Sequence, residues 1–281
     1  MSKLLLLSCL LTALFVSNTA SGAEGFWKTK VGELDFYSIQ DSDGEFDNSL
    51  FGQDNAELLS KIAPTGKTQN SCTVFVVKKG DALVMFDTGM GRNMIENLKK
   101  ADIDPASITD IVLTHTHGDH VGGFLADGKP NFPNAKFWIG SDELAFWKTS
   151  NTALRGMIER AYDGVNIIFD GKETKQITPL IDIKAIPMPG HTPGHLGFMI
   201  ESGDEKIVVA GDVLHSRDIQ FAHPEISARF DRDVTKSVET RIAILERAAG
   251  EKWRFAATHV VFPSVGKVSK DGDGFKFEPE K

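Results

Sequence analysis

Covalent cross-links are nearly absent from this 281-residue sequence, which has only two cysteines, Cys9 and Cys72. Cys9 falls in an N-terminal apolar run expected to be removed, which leaves Cys72 alone. An intramolecular disulfide is then excluded, and the fold must rest on its core. Cys72 lies in "SCTVFVV", beside a strand pattern, and reads as a small buried hydrophobe. An excess of positive charge is also lacking. Lysine and arginine number 31 against 39 acids, the formal net charge is -8, and the pI is near 5.5. That balance argues against an extended nucleic-acid or anionic-membrane footprint, though not against a local basic pocket. There is no internal repeat and no low-complexity segment.

The longest apolar run, "LLLLSCLLTALFV" from Leu4 to Val16, follows Lys3 and precedes "NTASGA". A positive residue, a short apolar stretch and small residues ending at Ala23 are the pattern of a secretory signal, and the run is short for a membrane span. Residues 1–23 are therefore expected to be cleaved, giving a periplasmic or secreted protein without a stable membrane anchor. A lipoprotein signal ending at Cys9 fits less well, since the apolar segment continues beyond it. The remainder, 24–281, is expected to be one domain, with 41% hydrophobic residues available for a sizeable core.

Along the chain, strand and helix patterns interleave. "GELDFYSIQ" reads as a strand. "DSDGEFDNSLFGQDN" reads as a polar loop, with "DSDGE" a turn, because Gly44 falls fourth after Asp41 where an EF-hand loop needs its glycine sixth. "TVFVVKKGDALVMFDTG" is a hairpin. "NMIENLKKA", "DELAFWKTS", "ALRGMIERAY" and "TKSVETRIAILERAAG" are helical, the last ended by Gly250. "ITDIVLTH", "AKFWIGS", "VNIIF", "IDIKAIPM", "HLGFMIES", "KIVVAGDV" and "RFAATHVVF" are strands, and "DGDGFKFEP" is a terminal turn. The interleaving predicts a layered α/β (α+β) domain with sheets inside and helices outside.

The chemistry-bearing residues gather at strand ends. "THTHGDHVGG" places His115 and His117 two apart in an extended segment, so both face one side. Gly118 then lets the backbone turn, and Asp119 and His120 can point to a second position. "MPGHTPGH" supplies His191 and His195, "VVAGDVLH" supplies Asp212 and His215, and "FAATHVVF" supplies His259. Neutral imidazole and carboxylate are natural ligands for zinc and similar divalent ions. Open α/β sheets build their sites at strand ends.

His115-x-His117-x-Asp119-His120, followed by His191, Asp212 and His259, resembles the complete ligand set of the metallo-β-lactamase superfamily. The likeness runs from about Val31 to Phe262, and Asp87-Thr88-Gly89 matches a strand-end turn common there. The resemblance implies a four-layer αββα sandwich with two divalent ions per chain, zinc by default, with Mn, Fe or Co as alternatives. His115, His117 and His191 would hold one ion, and Asp119, His120 and His259 the other. Asp212 would bridge them. Two such cations share a hydroxide derived from a water whose pKa falls to about 7. That chemistry implies hydrolysis of a small molecule, with Asp119 as proton shuttle and His215 contacting substrate or orienting Asp212.

Within the superfamily, "GDVLHSRDIQFAHP" and "THVVFPSVGKV" look most like the methyl parathion hydrolase-like branch, which implies aryl esters, lactones or phosphotriesters as substrates. The alternative is the N-acyl-homoserine lactonases. These commonly carry a tyrosine where His215 stands, so its assistance to the lactone oxygen is in doubt here. Asp212, where the best-known β-lactamase subclass with this motif has cysteine, argues against β-lactam hydrolysis. The final residues do not resemble the glutathione-holding portion of glyoxalase II-like thioesterases. A non-catalytic metal-binding module would be expected to have lost ligands, and none is missing. Trp147, Phe146 and Phe221 are the candidate aromatic lining for a substrate pocket. His195 is expected to stabilise its loop. A homodimer is implied by resemblance only.

Overall fold

The computed structural model describes residues 25–52, 55–150, 152–162 and 164–281. The signal-sequence expectation for residues 1–23 lies outside them. In chain order the elements are β1 (Phe26–Val31), β2 (Leu34–Asp47), α1 (Ala56–Ile62), β3 (Lys67–Lys79), β4 (Ala82–Phe86), α2 (Met94–Lys100), β5 (Asp110–Val112) and α3 (Gly118–Val121). Next come the short β6 (Leu125–Ala126) and β7 (Lys129–Pro130), then β8 (Lys136–Gly140), α4 (Ser141–Ser150), α5 (Thr152–Ala161), β9 (Asn166–Phe169) and β10 (Asp182–Pro187). The chain closes with β11 (Leu196–Ser202), β12 (Glu205–Val209), α6 (Arg217–Gln220), α7 (Val234–Gly250), β13 (Arg254–Ala256), β14 (Val265–Asp271) and β15 (Gly274–Pro279).

Two mixed sheets result, ordered β1-β2-β3-β4-β5-β8-β9 and β10-β11-β12-β13-β14-β15. Side-chain alternation explains why they stack. In β3, Phe75 and Val77 face the other sheet, where they join Phe198, Ile200, Ile207 and Val209. Val74 and Val76 face outward and join Met94 and Leu98 of α2 and Trp147 of α4. On the second sheet Met199 and Val208 face outward to Ile244 and Leu245 of α7. The layers are therefore helix, sheet, sheet, helix, the expected αββα sandwich. Strands buried on both faces lose polar alternation, which is why "TVFVV" and "KIVVA" read as continuous apolar runs.

Two expectations are corrected. "DSDGEFD" is not a loop: β2 continues to Asp47 and pairs with Lys67–Cys72 of β3. Its other side is uncovered there, because β1 pairs only with Leu34–Ile39. An edge strand is often polar, and that polarity hid it. The C-terminal segment is likewise a hairpin, with β14 and β15 paired antiparallel and Phe275 and Phe277 buried.

The register of β2 shifts between Gln40 and Ser42, and Asp41 sits at this bulge. Its buried carboxylate accepts the backbone N–H groups of Met90, Arg92, Asn93 and Met94 at 2.9, 2.7, 3.2 and 3.1 Å. The bulge thus caps α2 and fixes the loop between β4 and α2. Asp41→Ala is expected to lower the unfolding free energy by about 3 kcal/mol, with Asp41→Asn in between. Urea denaturation measures this, and a loss well below about 1 kcal/mol would contradict the pinning role.

Candidate metal centre

The site forms along one edge of the sandwich because parallel pairs align strand C-termini. β4 and β5 run parallel, as do β12 and β13. The loops after β5, β12 and β13 carry His115 to His120, Asp212 to His215, and His259. The loop between β10 and β11 adds His191 and His195.

The seven residues singled out from the sequence as metal ligands come together in two groups. His115, His117, His191 and Asp212 offer ligand atoms all within 4.8 Å of one another, and so do Asp119, His120, His259 and Asp212. In the first group the ring nitrogens His115 Nε2, His117 Nδ1 and His191 Nε2 stand 3.1, 3.2 and 2.9 Å apart. Three nitrogens around a tetrahedral zinc at roughly 2.0–2.1 Å would be separated by roughly 3.3 Å. In the second, Asp212 Oδ1 is 3.1 Å from His120 Nε2, and His259 Nε2 is 3.2 Å from both Asp119 Oδ2 and Asp212 Oδ2. His120 Nε2 and Asp212 Oδ1 are buried without a hydrogen-bond partner. Buried polar atoms normally have one. Converging nitrogens, a buried His120–Asp212 contact without an aligned hydrogen bond, and a carboxylate common to both groups fit a dinuclear metal site.

The far ring nitrogens are held in place. His120 Nδ1 lies 2.8 Å from Asp87 Oδ2, and His191 Nδ1 lies 3.0 Å from Asp231 Oδ1. His259 Nδ1 lies 3.0 Å from both Asn70 Oδ1 and the Ser71 carbonyl, and His115 Nδ1 lies 3.1 Å from Thr114 Oγ1. Such partners fix tautomer and orientation. Asp87 also accepts Thr114 N–H and Oγ1–H, which ties β4 to the histidine loop. Buried Glu143 accepts from Thr116 N, Thr116 Oγ1 and Thr192 Oγ1, joining the two histidine loops, and burial raises its carboxyl pKa. His195 Nε2 accepts the Asp212 N–H at 3.1 Å, so it braces the Asp212 backbone as well as its own loop.

The cavity over this cluster has a volume of about 470 Å³ and is lined by Phe46, Met90, Phe230 and His215, among others. His215 is buried, stacks on His259 with centroids 5.3 Å apart, and leaves both ring nitrogens unpartnered. The expected aromatic lining is corrected. Trp147 is fully buried in the helix–sheet core against Phe137. Phe221 stacks on Phe277 beneath the second sheet. Phe146 lies under the Arg232 guanidinium, outside the lining. Large apolar residues on helices and strands were drawn into cores, and the lining came instead from the polar end of β2 and from loops. Phe46, Met90, Phe230, Glu143 and Asp231 carry no local sequence signal, because what they touch lies far along the chain.

The two groups differ in proton load. Burial, and then the charge of His120, drives the His115 pKa far below its ordinary value; burial and His191 bring His117 to about 4. Burial opposes protonation of His120 and His259 too. There, however, Asp212 and neighbouring carboxylates outweigh it, lifting His120 well up and His259 to about 10. Near neutral pH His115 and His117 are ready to ligate, while His120 and His259 must each lose a proton. Zinc added to metal-free protein at pH 7.5 should therefore release about two protons per chain, and acidification should empty the second position first. Calorimetry in buffers of different ionisation enthalpy reads this, and release of no protons would contradict it.

Known proteins share this architecture. The chain is 33% identical over 117 residues to the uncharacterized protein YobT of Bacillus subtilis (strain 168), a match covering 38% of this chain and 46% of that protein. Among solved structures it is similar to AidC, a dizinc quorum-quenching lactonase in complex with a product, N-hexnoyl-L-homoserine. That likeness has a TM-score of 0.84 and 27% identity, over 92% of this chain and 98% of that one. The hydrolase AbOPH of the beta lactamase superfamily matches with TM-score 0.80 and 27% identity over the same shares. The sequence model of the Metallo-beta-lactamase superfamily matches residues 68–259, more than half of the chain. With that match, the αββα sandwich and the paired His/Asp groups in hand, the chain belongs to the metallo-beta-lactamase superfamily.

Proposed function

We propose that this metal-dependent hydrolase opens neutral lactones and esters bearing an apolar acyl or aryl group. His115, His117 and His191 would hold one cation, Asp119, His120 and His259 the other, and Asp212 would stand between them. The observation that carries the substrate class is the make-up of the cavity. One wall is the His/Asp cluster, and the other is Phe46, Met90 and Phe230, with no lysine or arginine among the described lining residues. Phe46 packs at 5.8 Å from Phe230 and 5.6 Å from His259, so the aromatic surface abuts the polar one. An anionic substrate, such as a β-lactam or a glutathione thioester, finds no lysine or arginine among the described lining residues, whereas an apolar substituent finds a wall. The likeness to a dizinc lactonase supports the lactone reading.

When bound, two divalent cations supply Lewis acidity to a carbonyl oxygen and acidify a water to near neutrality. The chain's own residues do the rest. Asp119 lies in the first turn of α3 and lines the cavity. In the metal-free chain burial raises its pKa, but His120 and His259 more than reverse this, so the carboxylate is ionised; facing the cavity, it would take a proton from the attacking water. As the acyl C–O bond breaks, that proton can pass to the leaving alkoxide. Burial pulls His215 down to about 4 despite Asp212 beside it, so near pH 7 the ring is neutral. A neutral imidazole still offers one N–H, and His215 lines the cavity with Nε2 3.4 Å from Asp212 Oδ2 and no aligned hydrogen bond on either ring nitrogen, so a small ring movement would let it meet a substrate oxygen.

A second reading is aryl phosphotriester hydrolysis, supported by the likeness of "GDVLHSRDIQFAHP" to the methyl parathion hydrolase-like branch, whose aryl leaving group the same wall would hold. We also propose export after cleavage near Ala23, which the intact mass of the exported chain tests.

A panel of lactones, aryl esters, phosphotriesters and β-lactams, run on chelated and metal-restored protein, decides among these. Turnover of long-acyl lactones should vanish on chelation and return with zinc or cobalt. Phe230→Ala should raise KM for those substrates by roughly ten-fold and for a small unsubstituted lactone far less. Equal effects on both would count against the wall, and restored protein inert to the whole panel would sink the proposal.

A further inference from the structure

Arg241 of α7 and Asp231 form an ion pair at 3.1 Å with both side chains closed to water. All five N–H groups of the guanidinium are used. Nε donates to Val213 O at 2.7 Å, and Nη1 to Pro224 O and Ile226 O at 2.9 and 3.0 Å. Nη2 donates to Asp231 Oδ2 and Ser237 Oγ at 3.1 and 3.2 Å. A buried ion pair is a poor source of stability, because desolvation offsets the attraction and a well-packed apolar replacement is often neutral or better. The reason for this pair lies in what it holds.

Two things hang from it. Asp231 Oδ1 receives the Nδ1–H of His191, which leaves the Nε2 lone pair facing His115 and His117. The three carbonyls bracket the segment from Val213 to Ile226, which begins beside His215, and Phe230 precedes Asp231 in the chain. Within that segment Gln220 accepts from His215 N and donates to Ile226 O. His191, His215 and Asp231 also bring ligand-type atoms within 4.8 Å of one another. The Arg241 charge already neutralises Asp231, so this third group serves orientation rather than a further cation.

We infer that Arg241 is a positioning residue of the metal centre. Through Asp231 it fixes the ring and tautomer of His191, and through the loop carbonyls it sets His215 and Phe230 on the cavity. The inference rests on His191 being a ligand, as proposed above. The test compares wild type, Arg241→Met, Arg241→Lys and Asp231→Asn in the full chain. Zinc affinity is read by chelator competition, the Co(II) absorption spectrum reports ligand geometry, and circular dichroism reports folding. Folded Arg241→Met and Asp231→Asn should bind one of two ions roughly 10–100-fold more weakly and show an altered Co(II) spectrum. Arg241→Lys should recover part of the affinity. Where Arg241→Met fails to fold, Asp231→Asn, which exchanges one oxygen for an amide nitrogen, decides alone. Folded variants with wild-type affinity and spectrum would overturn the inference while leaving the dinuclear reading intact. Wild-type protein that takes up no pair of ions would overturn that reading, and the inference with it.

Discussion

One buried carboxylate organises this molecule. Asp212 Oδ2 lies 3.7 Å from His115, 3.4 Å from His191 and His215, and 3.2 Å from His259, while Oδ1 faces His120 at 3.1 Å. Five imidazoles around one acid form an arrangement that water would dissolve and that burial alone would penalise. It persists because the loops that carry these groups are fixed by strands on one side and by hydrogen bonds to their far atoms on the other. Burial raises the Asp212 pKa, but the imidazoles, His120 first, pull it far below the ordinary carboxylate range. Charge balance at this one residue therefore requires contributions from four separate loops.

The backbone yields where the cluster demands it. Gly211, just before Asp212, takes a φ of +53°, and a Cβ there would fall 2.6 Å from His195 Nε2, the atom that accepts the Asp212 N–H. Gly123, at the far end of the opening histidine motif, lies so close to the chain after β4 that a Cβ would come within 2.0 Å of Thr88 O. Both are close approaches rather than flexible points: one seats Asp212, the other closes the His115–His120 loop onto the Asp87 turn.

What the sequence made legible follows from range. The histidine motif is readable because His115 and His117 of one group lie at i and i+2 of an extended segment, and Asp119 and His120 of the other follow a glycine. The layered sandwich is readable because "TVFVV" and "KIVVA" are apolar at successive positions. The edge portion of β2 was not, because polar residues on an unpaired edge look like a loop, and only the Asp41 bulge gives that segment its meaning. Trp147 misled for a related reason: size and apolarity are what both a core and a pocket want, and the helix–sheet interface took it. Asp231 and Arg241 are ten residues apart on a loop and a helix, with nothing periodic to join them, and only the folded chain brings both to His191.

The centre and its cavity are built from different stock. The clustered histidines and aspartates come from the ends of strands locked between neighbours, whereas Phe46, Met90 and Phe230 come from an edge strand and two loops. Loops on a fixed scaffold can change what they contact without disturbing the scaffold. The segment from Val213 to Asp231 is the exception. It begins just after Asp212, passes through His215, reaches Phe230, and ends on the Asp231 carboxylate that contacts His191. A change in that segment acts on substrate fit and on the cradle at once. The edge end of β2 and the Met90 loop supply Phe46 and Met90 to the cavity but no atom to either His/Asp group, so selectivity can move there with less effect on the cradle.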